Sequence, residues 1–180
     1  MRWLNFGIFT AVLLAAQTVV APAIELAGAR PDWLLVVVIF LGLYAPKHEA
    51  LIGGWVIGVS ADLLTLERFG FLAISYGLTV LLVIAVREYV FRYRASTQFV
   101  LTLVVGFALQ TLWLVYRRFA YAPSTSVGWE LISYCVPSAI YTAIWAPILA
   151  RGFVRLSKAL GIAHPRYTSG GIRRLERLDV

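Results

Sequence analysis

Residues 30–70 read RPDWLLVVVIFLGLYAPKHEALIGGWVIGVSADLLTLERFG, and this stretch decides the fold. It opens with Arg30-Pro31-Asp32, runs apolar through Tyr44 and turns at Pro46-Lys47-His48-Glu49. It returns as a second apolar segment carrying Gly53, Gly54, Gly58 and Asp62, and closes on Phe69-Gly70. Two carboxylates therefore sit at or inside segments with the composition of membrane spans. A charge at bilayer depth costs at least about 2.5–3.5 kcal/mol on insertion scales, so it is seldom left without a partner. Gly54, Gly58 and Asp62 recur at i, i+4 and i+8 and share one helix face. That face is smooth at one end and acidic at the other, which suits packing against another helix better than facing lipid.

The rest of the chain agrees with a membrane reading. Its 180 residues are 61% hydrophobic and 14% charged, with mean hydropathy +0.81, far from the balance of a soluble domain. The net charge of +7 reports topology here, and no basic, aromatic-interleaved motif points to nucleic acid. Cys135 is the single cysteine, so no disulfide forms within the chain. His48 and His164 lie far apart in polar segments, and no metal or other cofactor is expected. Ala21-Pro22-Ala23 is weakly like a signal-peptide cleavage site, but the apolar run before it is too long, so this segment is read as a retained span.

The fold class expected is an all-α integral membrane protein, a six-helix bundle. One membrane domain covers 1–158, with spans near 3–24, 31–44, 50–66, 71–92, 98–118 and 130–153. A basic cytoplasmic tail covers 159–180. The second and third spans are short for a full crossing. They read as a tight hairpin reversing at Lys47, His48 and Glu49. Lysine and arginine set the orientation: twelve fall on the side that holds both termini, while Arg30, Arg68, Arg117 and Arg118 fall on the other. Both termini are thus expected in the cytoplasm. Arg30, Asp32, Asp62, Arg68 and Arg117 then form a charge cluster at the outer rim.

Each constellation has a plain reading and a functional one. Pro31 and Asp32 make a well-formed helix start, since proline is pre-set for the first turn and an acid favours the positive helix end. Asp32 is also expected to pair with a rim arginine. Asp62 is too short to snorkel and is expected to pair with Arg30, Arg68 or Arg117, or to contact a partner helix. Gly54 and Gly58 form a GxxxG that permits close approach; packing inside the bundle is favoured over a homo-oligomer face. Catalysis has little support, because neither aspartate has the glycine-flanked setting of intramembrane aspartyl proteases and no Ser/His pair shares a depth.

The ordered set of features resembles the bacterial rod shape-determining MreD family. It comprises a short six-span chain, Arg30-Pro31-Asp32 after the first span, and the hairpin with Gly53, Gly54, Gly58 and Asp62. Phe69-Gly70 and a fourth span through Ala73-Ile74-Ser75-Tyr76 complete it. Thr65-Leu66-Glu67-Arg68 departs from the smaller, Gly/Ser-richer loop typical of the family. The resemblance implies a non-catalytic scaffold of the cell-wall elongation complex in the bacterial cytoplasmic membrane. It implies an MreC-like single-span partner, with RodA, a class B penicillin-binding protein and MreB acting indirectly. Gly53, Gly54, Gly58, Asp62, Phe69 and Gly70 are its expected partner-binding or packing residues. It also implies a fold similar to the substrate-binding subunits of energy-coupling-factor transporters. The alternative function is accordingly a solute (vitamin)-binding subunit of such a transporter.

Overall fold

The computed structural model describes residues 3–26, 28–65, 70–87, 95–121 and 131–160, and in a few of these the backbone alone. Among them the chain is helical throughout. The helices are α1 (Trp3–Ala23), α2 (Trp33–Tyr44), α3 (Lys47–Leu64), α4 (Phe71–Val86), α5 (Ala95–Tyr121) and α6 (Val136–Leu160). A π-helical turn, Leu131–Cys135, leads into α6. Helices α1 and α5 each hold a 21-residue stretch long and apolar enough to cross a membrane, and so does the π-helical turn together with α6 (Ser133–Phe153), while α2 and α4 are shorter apolar helices.

Helix α2 is the central pillar. Every residue from Leu34 to Tyr44 is buried. A helix that is apolar all round has no solvent face and must be enclosed by other helices, and α3, α4, α5 and α6 all pack on it. Its 12 residues rise only about 18 Å. It therefore lies within the bundle's thickness, held by packing and not by its own length. Phe40 stacks edge-on with Phe153 of α6, which meets Phe9 of α1 in the same way.

The outward faces are apolar. Ile140, Ile144 and Ile148 form an exposed stripe along α6, as do Ile74, Leu78 and Leu81 on α4 and Leu4, Ile8 and Val12 on α1. Apolar surface this continuous is not kept against water. Together with the long apolar helices it places the protein in a membrane.

Several boundaries differ from the sequence reading, among them the end of α6, which runs on to Leu160 past the expected 153. Helix α3 begins at Lys47, not at residue 50, and only Ala45 and Pro46 separate it from α2. Proline needs no N–H bond, and Glu49 sits favourably in the first turn, so the expected polar reversal is itself helical. Helix α5 starts at Ala95, three residues before the expected span. The tail from 161 onward lies outside the described residues.

Candidate functional site

The hairpin of α3 and α4 is built on the i, i+4, i+8 stripe. A Cβ on Gly54 would stand 2.5 Å from Val80 Cγ2, and one on Gly58 would stand 2.6 Å from Ala73 Cα and 2.9 Å from the Leu72 carbonyl oxygen. At Gly58 the obstruction is backbone, so the two helices touch main chain to main chain. Gly77 of α4 returns the contact: its missing side chain leaves room for the Trp55 indole. Gly53, on the neighbouring face, leaves room for Leu41 and Phe6.

One turn beyond Gly58, Asp62 completes the stripe. Oδ2 accepts from the N–H groups of Gly70 (3.1 Å) and Ala73 (2.9 Å), and Oδ1 from Leu72 (3.0 Å). These are the free donors that open α4, where the helix dipole is positive. Asp62 thus caps a helix other than its own. It is 3% exposed, and the donors replace the water it gives up. Gly70, with φ +101°, lies in the left-handed region open to glycine. That conformation turns the chain so that successive N–H groups face Asp62.

The arginine pairing expected for Asp62 is therefore corrected with respect to Arg30. Arg30 Nε donates to Glu25 across the tight turn closed by Leu26 and Ala29. A carboxylate at a helix's positive end needs no cation once three N–H groups reach it. Arg68 and Phe69 altogether, and the side chain of Arg117, lie outside the described residues. Of the two readings of the glycine stripe, packing inside the bundle matches its contacts, since α4 lies against Gly54 and Gly58.

Asp32 caps α2. Oδ1 accepts from Leu35 N–H at 3.0 Å, and the Tyr76 hydroxyl donates to both carboxylate oxygens at 3.3 and 3.2 Å. No arginine takes part in these bonds. Residues that the sequence reading passed over fix this loop. Gln17 of α1 donates to the Pro31 carbonyl and accepts from Trp33 N–H, both at 3.0 Å. Thr142 of α6 accepts from Asp32 N–H at 3.0 Å, and the Tyr141 hydroxyl donates to the Ile24 carbonyl at 2.9 Å. Gln17 had a usable signal, as an amide inside the apolar run of α1; Thr142 had none beyond being polar in an apolar helix, and Tyr76 entered only through the family resemblance. At the opposite end of α2, Arg87 Nη1 donates to Ala45 O (3.0 Å) and reaches Gly42 O (3.4 Å), holding the negative helix end. The amide of Gln98 donates to the Tyr44 hydroxyl at 2.9 Å.

Beside the Asp32 end of α2 lies a cavity of about 330 Å³, lined by Gln17, Arg30, Asp32, Tyr76, Gln110, Trp113 and Tyr134 among others. It sits where α1, α2, α4, α5 and the π-helical turn meet. Trp113 and Tyr134 stack at 6.5 Å along one side, and Phe71 stacks on Tyr116 at 4.3 Å between α4 and α5. Among the described residues, no cluster of three histidine, cysteine, aspartate or glutamate side chains could hold a metal ion.

No curated protein and no solved structure matches the chain. A family model does, that of rod shape-determining protein MreD, over residues 1–158. The matched span takes in the Arg-Pro-Asp loop, the glycine stripe and both capping aspartates, and the chain belongs to the MreD family of rod shape-determining proteins.

Proposed function

We propose that the protein is a non-catalytic scaffold of the cell-wall elongation machinery in the bacterial cytoplasmic membrane, and that it holds an MreC-like single-span protein beside its helices. RodA, a class B penicillin-binding protein and MreB follow as indirect partners. The observation that carries the non-catalytic part is the engagement of the two aspartates. Asp32 and Asp62 are the carboxylates best placed for chemistry at depth, and both are spent on helix N-termini. The family supplies the cellular role. Gly53, Gly54, Gly58 and Asp62 act by shaping the bundle, and the partner meets one of the outer apolar faces.

All six helices cross the bilayer with both termini in the cytoplasm. The contacts support alternation, because the ends of α1, α3 and α5 lie with the starts of α2, α4 and α6. The short α2 crosses inside the bundle, and the short α4 crosses at its surface. The likeness to transporter substrate-binding subunits rests on the sequence resemblance. A fluorescent reporter that works only in the cytoplasm, fused after Val180, is expected to be bright; a periplasmic signal would overturn the topology.

Depletion in a rod-shaped host should give rounded cells. Detergent pull-down should recover an MreC-like protein together with the tagged chain. Recovery of an energy-coupling ATPase module, with vitamin uptake lost on depletion, would replace the scaffold with the transporter alternative.

A further inference from the structure

The cavity beside Asp32 holds hydrogen-bonding capacity that helix packing leaves unused. A carboxylate offers about four acceptor sites. On Asp32 the single Tyr76 hydroxyl proton is divided between the two oxygens at 3.2 and 3.3 Å, Leu35 N–H donates to Oδ1, and the Leu34 N–H also reaches the carboxylate. Three donors leave part of that acceptor capacity unfilled. Across the cavity, Gln110 Oε1 is buried and meets no donor among the described residues. An unpaired buried amide oxygen costs about 1–3 kcal/mol, which a donor brought by a ligand would recover. At the rim, Arg30 commits Nε to Glu25, and its two terminal nitrogens have no acceptor among the described residues.

The walls fit the same chemistry. Tyr76, Trp113 and Tyr134 line the cavity, and aromatic faces attract a cation, more so where water is scarce. Two acceptors and several rings inside, with a guanidinium outside, make a polarity in space. A lone anion would meet the Asp32 carboxylate, and a neutral ring would leave that charge unused. The volume, about 330 Å³, is at the small end for ligand pockets, which run from roughly 300 Å³ upward. It holds a headgroup and not a whole lipid.

We propose that this cavity binds a protonated primary amine carried on a short link to a phosphate. The ammonium sits between Asp32 Oδ2 and Gln110 Oε1 against the aromatic walls, and the phosphate meets the terminal nitrogens of Arg30. Two sources share this chemistry: the ethanolamine headgroup of a membrane phospholipid, with its chains on the apolar flank of α4 and α5, or free phosphoethanolamine. The inference does not depend on the scaffold reading and can fail without it.

The test uses the full chain in nanodiscs made of phosphatidylglycerol alone or doped with phosphatidylethanolamine. Native mass spectrometry reads the retained lipid, and calorimetry reads added phosphoethanolamine. Wild type should retain phosphatidylethanolamine over phosphatidylglycerol by about tenfold, the worth of one charged hydrogen bond. Gln110→Leu and Trp113→Leu should each lose that preference while melting like wild type. Gly152→Ala, in a helix region with nothing within 4 Å of the added carbon, should keep it. Calorimetric binding of phosphoethanolamine in the undoped discs would name the free molecule as the source; retention of the lipid without it would name the headgroup. Equal retention of the two lipids by wild type, with no heat from phosphoethanolamine, overturns the proposal. So does a preference that survives in a well-folded Gln110→Leu.

Discussion

Substituting Gly58 by alanine should be far more damaging than one methyl group suggests. The new Cβ would stand 2.6 Å from Ala73 Cα, 3.0 Å from Ala73 N and 2.9 Å from the Leu72 carbonyl oxygen. Non-bonded carbons rest at about 3.5–4.0 Å. All three obstructions are backbone, so no rotamer change clears them and α3 must move off α4 by about 1 Å. Asp62 rides on the same face one turn later. Its bonds to Gly70, Leu72 and Ala73, now 2.9–3.1 Å, would stretch toward about 4 Å, beyond hydrogen-bond reach. Overpacking costs about 1–3 kcal/mol, and each charge-assisted bond is worth about 1.5–3 kcal/mol. Strain and bond loss relieve one another, so a total of about 3–6 kcal/mol is expected. That is a large part of a typical stability of about 5–15 kcal/mol. The assay is thermal unfolding in detergent, followed by tryptophan fluorescence, beside two reference variants. Gly152→Ala has open space and should be neutral or stabilising, because alanine favours a helix interior. Gly106→Ala meets the end of the Leu35 side chain at 3.3 Å and Ala139 no nearer than 4.0 Å, and should fall between. If Gly58→Ala melts with Gly152→Ala, the close contact does not organise the hairpin and the reasoning fails.

Asp62→Asn should retain part of the cap and Asp62→Leu none. A loss of about 1–2 kcal/mol for the amide and several more for leucine is expected from the same melts, and equal losses would sink the capping role. Gly70→Ala forces a side chain into φ +101° and should cost about 1–2 kcal/mol; a neutral result would mean the turn relaxes freely. Arg87→Ala should uncap α2 and speed amide exchange at Leu43–Ala45 ahead of Leu34–Val36. Uniform exchange along α2 would show that Arg87 does not hold that end.

The sequence by itself determined the membrane class and the composition of the packed face of α3, but not that this face meets α4. Those follow from local quantities. Apolar length fixes which segments leave water, and a spacing of four sets Gly54, Gly58 and Asp62 in one line whatever surrounds them. It also marked Asp32 as a helix start, because a cap is a bond to the next turn of the same chain. What Asp62 binds was decided only by the tertiary structure. The reading from charge alone offered arginines, since opposite charge is visible in a sequence. Among the described residues the donors to Asp62 are backbone N–H groups, which nearly every residue carries and no letter distinguishes. They become donors to Asp62 only because α3 lies against the first turn of α4, at a distance that Gly58 permits. The same holds for Gln17, Tyr76 and Thr142. Each is one polar residue in an apolar helix until three different helices bring them to the Asp32 loop. The cavity beside Asp32 belongs to no one segment; its wall is assembled from α1, α4, α5 and the π-helical turn.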